Sequence, residues 1–139
     1  MQKFIFTLAL TFGLLSCEKE DTLNTTSSDA SVSEVKMMLN SSNGVKITEF
    51  IEEGVNKTTE FTSWLFTFNS NGSVSATKPG ENVSGTYLVF SDDSQIELSM
   101  TFPNGSELIE LTDDWYFISE NGNTIRFDDN GDVIQFERQ

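Results

Sequence analysis

The sequence predicts an all-β domain: an antiparallel up-and-down meander of about eight short strands that closes into a small barrel, with a short helix before it. Three observations carry this. Asn-Gly recurs at Asn43-Gly44, Asn71-Gly72, Asn104-Gly105, Asn121-Gly122 and Asn130-Gly131. The type I′ turns of hairpins need positive φ at both central residues, which Asn and Gly tolerate. Between these dipeptides apolar and polar residues alternate with a period of two, as in strands with one buried and one wet face. Pro79 and Pro103 both fall in turn segments, where neither removes a ladder donor.

The elements follow in chain order. Lys3 precedes an apolar run from Phe4 to Leu15, shorter than the ~20 residues a membrane-spanning helix needs. A positive start, a short apolar core and the small Ser16 read as a removed export signal over residues 1–16. Cys17 is the single cysteine and closes Leu14-Leu15-Ser16-Cys17, which resembles a bacterial lipobox. The resemblance implies cleavage after Ser16 and diacylglycerol on the Cys17 sulfur, so that the membrane is met through a lipid anchor. With that thiol used, no disulfide is expected in an oxidising compartment, and the apolar core must hold the fold.

Residues 17–31 read as a lipidated flexible tether, rich in Ser, Thr, Asp and Glu and poor in anything to bury. Residues 32–139 form the barrel domain. Val32, Val35, Met38 and Leu39 have near-helical spacing, which predicts a helix over Ser33–Leu39 with Ser33 as its cap. Strands are expected near 45–52, 61–69, 73–78, 83–90, 95–102, 115–120, 124–128 and 132–137, with one helical turn at Glu107–Leu111. Their inward set is Trp64, Phe66, Phe68, Leu98, Met100, Phe102, Trp115, Phe117, Ile125, Phe127 and Phe136. Closure into a barrel removes the exposed edges.

With the strands placed, several stretches resemble the small lipocalin-like lipoproteins of Bacteroidetes-type bacteria. They are Gly44-Val45-Lys46-Ile47-Thr48, Leu65 to Gly72, Val83-Ser84-Gly85-Thr86-Tyr87, Leu111-Thr112-Asp113-Asp114-Trp115 and Phe136-Glu137. The resemblance implies a lipocalin-like barrel with a small-molecule role and carries no catalytic residues. Val45 and Tyr87 stand where that family has tryptophan, the first of which plugs one end of the barrel, so a shallow apolar pocket is expected near them. Cys17-Glu18-Lys19-Glu20-Asp21 resembles the signal that sends such lipoproteins to the cell-surface face of the outer membrane. Asp21-Thr22-Leu23 resembles their O-glycosylation sequon, with Thr22 as acceptor.

The formal charge of −14 and the absence of histidine narrow the chemistry. Such a charge argues against nucleic acid or an anionic membrane as partner of the domain surface. Without histidine there is no Ser-His-Asp triad and no imidazole acid or base. Glu52-Glu53, Asp92-Asp93 and Asp113-Asp114 are neighbours along extended chain, whose side chains point to opposite faces, so they read as solvated turn residues. Asp128, Asn130 and Asp132 have the alternate spacing of a calcium loop, but the glycine is misplaced and Gln139 stands where the bidentate Glu belongs; the segment reads as a hairpin turn. No cofactor, metal or catalytic residue is therefore expected. Trp64 and Trp115 could stack a ligand, although their strand-period positions also read as core. The expectation is a non-enzymatic binding protein for a small apolar molecule, with Val45, Trp64, Tyr87 and Trp115 at the ligand. The alternative is a surface module that binds a protein, as an accessory subunit or inhibitor of an exported enzyme.

Overall fold

The computed structural model describes residues 30–139. The export signal, Cys17, Thr22 and the tether through residue 29 lie outside the described residues.

Helix α1, Val32–Leu39, begins at Ser31 rather than at Ser33. The Ser31 hydroxyl accepts from the Glu34 amide at 3.3 Å while Glu34 accepts from the Ser31 amide at 2.6 Å. This reciprocal pair satisfies two amides that the first turn leaves open. Val35 and Leu39 are the buried face of the helix.

The strands are β1 Val45–Glu52, β2 Val55–Asn56, β3 Leu65–Phe68, β4 Ser73–Lys78, β5 Glu81–Asp92, β6 Gln95–Thr101, β7 Asp113–Asn121, β8 Thr124–Asp129 and β9 Asp132–Arg138. All pair antiparallel, in the order β1-β3-β4-β5-β6-β7-β8-β9, and β9 returns to β1. The pairing of Ile47 with Phe136 and of Phe50 with Ile134 closes an eight-stranded barrel. β2 is an appendage folded back on the end of β1.

The segment 61–69 corrects the sequence expectation. Thr58–Phe61 is a short helix, α2, and the strand starts only at Leu65. Phe61 and Trp64 are three apart, a helical spacing as well as part of an apolar run, so the aromatic cluster disguised the helix end. Thr58 ties α2 down by donating its amide to Asn56 Oδ1 and accepting the Phe50 amide at 2.9 Å.

The turns also depart from expectation. Of the Asn-Gly pairs, Asn130-Gly131 has positive φ at both residues, +50° and +103°, and joins β8 to β9 directly. Glu53-Gly54 and Asp93-Ser94 adopt the same double-positive geometry without the dipeptide. The strong twist of a closing barrel needs primed turns there, and the ladders on either side hold the less suited residues in place.

The inward residues meet at Phe136, whose ring lies edge-on to Phe66 at 6.0 Å, Phe68 at 5.6 Å and Phe127 at 6.3 Å. Gly85 faces this layer from β5. A Cβ there would stand 2.5 Å from the Thr101 carbonyl oxygen and 2.8 Å from the Phe102 ring, so the close strand approach needs glycine.

Candidate functional site

A lipocalin-type site would be an open lumen. Here both mouths are stoppered. At one end the 3₁₀ turn Ile109–Leu111 and α2 fold over the barrel. Leu108, Leu111 and Phe61 are buried there, Phe61 meets Phe50 edge-on at 4.9 Å, and Phe50 meets Trp115 at 6.0 Å. The Trp115 ring N–H donates to the Leu111 carbonyl at 3.2 Å. Trp64 is fully buried in the same layer with the Lys78 ammonium 4.5 Å above its ring. That ammonium is held by Glu81 and Glu107. Lys57 links Glu52 and Glu110 across the same end, and the two carboxylates hold its ammonium pKa well above the ordinary range.

The other end is closed by α1. Val35 and Leu39 are buried in the mouth, with Ala30, Val32 and Met38 partly buried beside them. Tyr87 donates to the Asn69 carbonyl at 2.7 Å and to Asn40 Oδ1 at 3.3 Å. Arg138 reaches from the last strand to the Met38 carbonyl at 3.1 Å. Burial pushes the Tyr87 phenol pKa above its ordinary value.

The predicted site residues are thus divided. Val45, Trp64 and Trp115 are interior packing; Trp64 and Trp115 belong to one stopper, and Val45 pairs with Phe66 near the other. Tyr87 alone borders open space, an exterior groove of about 280 Å³ lined with Lys36, Asn40, Asn71, Leu88 and Val89 among others. The shallow pocket expected near Val45 and Tyr87 therefore lies outside the barrel, and Val45 does not line it. Asp128 to Asp132 form a hairpin, and among the described residues no group of three or more acidic, cysteine or histidine side chains is arranged to hold a metal ion. No helix among them is long and apolar enough to cross a membrane.

The outer face holds a residue that sequence reasoning missed. Glu97 is on the polar side of β6, yet it is 6% exposed, the one charged side chain among the described residues to be buried. Its cross-strand neighbours are Phe90 and Tyr116. Alternation along β6 identified its outward direction; the aromatic residues that cover it come from two other strands.

These features define the class: an eight-stranded antiparallel barrel with a packed interior and two helical stoppers. No known family profile and no curated protein matches the chain. Among solved structures, the chain is similar to a DUF4847 family protein from Bacteroides vulgatus ATCC 8482, at 16% identity and a TM-score of 0.53, over 76% of this chain and 97% of that one. At that identity the likeness is one of fold.

Proposed function

We propose that this chain is a lipid-anchored binding module of the bacterial cell envelope, one that recognises its partner on the outside of a filled barrel and catalyses no reaction. The observation that supports it is the interior. Every barrel strand contributes buried apolar side chains, among them Phe50, Phe66, Ala76, Val89, Leu98, Trp115, Phe127 and Phe136. A drug-sized ligand is mostly buried in a cleft or cavity of about 300–1,000 Å³, whereas the spaces beside Tyr87 and Tyr116 are open grooves on the outside of the barrel. This favours a protein partner. The groove beside Tyr87, with Leu88 57% exposed at its edge, supports a second reading, a small apolar molecule laid across the rim. The anchor is the Cys17 diacylglycerol, the destination is the outer face of the outer membrane through Lys19-Glu20-Asp21, and Thr22 carries a sugar; these rest on the sequence resemblances.

Photo-crosslinking on intact cells tests the reading. A benzoylphenylalanine at Ile118, on the outer face, should give one discrete protein adduct, absent when the label sits at Glu60. A stoichiometric small molecule retained by the purified protein in native mass spectrometry would instead establish the Tyr87 groove. Neither result would sink both.

A further inference from the structure

We infer that the outer face around Glu97 and Tyr116 docks a basic segment of a protein partner, with an arginine side chain seated on Tyr116 and bonded to Glu97. This rests on the surface-binding reading above and names the partner's chemistry. Four residues form one row across four strands: Phe90, Glu97, Tyr116 and Asp128 are successive cross-strand partners. Their chain neighbours Val89, Leu98, Trp115 and Phe127 are buried in the barrel, so the row faces outward.

Glu97 is the anomaly in the row. Most of its side chain is covered, yet its carboxylate oxygens are not among the buried polar atoms left without a partner, so they stay within reach of a group arriving from outside. Glu97 accepts no hydrogen bond from the described residues and takes part in none of their ion pairs. Those pairs occupy Lys57, Lys78, Arg126 and Arg138 with Glu52, Glu110, Glu81, Glu107, Glu49 and Glu120. The charged groups around Glu97 are all of its own sign: Asp92 and Asp93 at the end of β5, Asp114 on β7 and Asp129 on β8. Burial and that repulsion raise the Glu97 pKa, and Asp129 is raised likewise.

A receiving surface lies beside it. The β6–β7 ladder stops at Glu97 and Tyr116, while β7 runs on to Asn121 and bulges past Phe117. The strands part there and leave an open groove of about 670 Å³, lined by Gln95, Ile96, Tyr116, Ile118, Asp128 and Asn130 among others. A half-buried aromatic ring that lines the groove, flanked by two carboxylates, suits a guanidinium, which stacks on the ring and donates through its planar fork. A metal ion fits poorly, because among the described residues no group of three or more acidic, cysteine or histidine side chains is arranged to hold one, and a calcium ion takes about six to eight oxygen ligands.

The test is titration of the full-length protein in detergent with fluorescent nona-arginine, by anisotropy at 150 mM salt. Glu60→Gln, an exposed change outside the row, removes the same charge as Glu97→Gln. We expect Glu97→Gln to weaken binding about tenfold, as loss of one charge-assisted bond implies, and Glu60→Gln to change it less than about twofold. Nona-lysine should bind more weakly than nona-arginine, because an ammonium lacks the planar fork. Equal weakening by the two variants, or equal affinity for the two peptides, would mean attraction to net charge alone and would overturn the proposal. Displacement of the peptide by calcium at sub-millimolar concentration would overturn it in favour of a cation site. Because Glu97→Gln removes only charge, a thermal melt confirms that the variant folds. Failure of the titration leaves the Ile118 cross-link standing, whereas absence of that cross-link sinks the broader reading by itself.

Discussion

The ring of Phe68 stands edge-on to that of Tyr87, their centroids 4.9 Å apart and their planes at 89°. The pair closes the barrel beneath α1, and the Tyr87 hydroxyl extends it to Asn69 and Asn40. Tyr87→Phe should keep the ring contact and lose the bonds, a destabilisation of about 1 kcal/mol in denaturant unfolding. The pH dependence has a defined sign. Because burial raises the Tyr87 pKa in the fold, its contribution is fully present below the unfolded value of 10.0 and declines as pH rises through the higher folded value. The phenylalanine variant should therefore lose less stability than the wild type between neutral pH and pH values above 10.0.

Val45 has no exposed surface and packs within the apolar core. Val45→Trp should thus overpack the α1 end of the barrel and destabilise the domain by about 1–3 kcal/mol. Thermal unfolding checks this. A stable variant with reduced binding of an apolar dye would place a cavity where the structure has side chains.

Glu97→Gln should raise the melting temperature at pH 7. The folded protein holds the Glu97 proton more tightly than the unfolded chain, so the ionised form opposes folding at neutral pH. As pH falls well below 4.5, the wild-type carboxyl becomes neutral in both states and the difference should close. A melting temperature unchanged at pH 7 would mean that the carboxylate has found a cation.

Cys17→Ser should abolish lipidation and, with it, membrane association, since no other thiol is present and one acidic domain has little attraction for an anionic bilayer. Membrane fractionation through a salt wash checks the first point. Replacing Lys19, Glu20 and Asp21 with alanine should keep the lipid but remove the protein from the reach of protease added to intact cells. Equal digestion of wild type and variant would refute the surface signal.

By itself the sequence determined the class of fold and the identity of the inner face. Alternation places Leu98 and Met100 inward wherever β6 ends up, because strand side chains alternate irrespective of partner, and both are buried. It also determined that histidine and disulfide chemistry are absent from the domain. The tertiary structure decided what the inner face encloses and which outward residues matter. Whether Trp64 lines a pocket or caps a core depends on α2, the 3₁₀ turn and Lys78, which approach it from separate stretches of chain. The same holds at Glu97. Its position along β6 reads as fully solvated, and only the pairing with Phe90 and Tyr116 covers most of it. Periodicity is a local property of the chain, whereas desolvation is set by neighbours that the sheet register brings together.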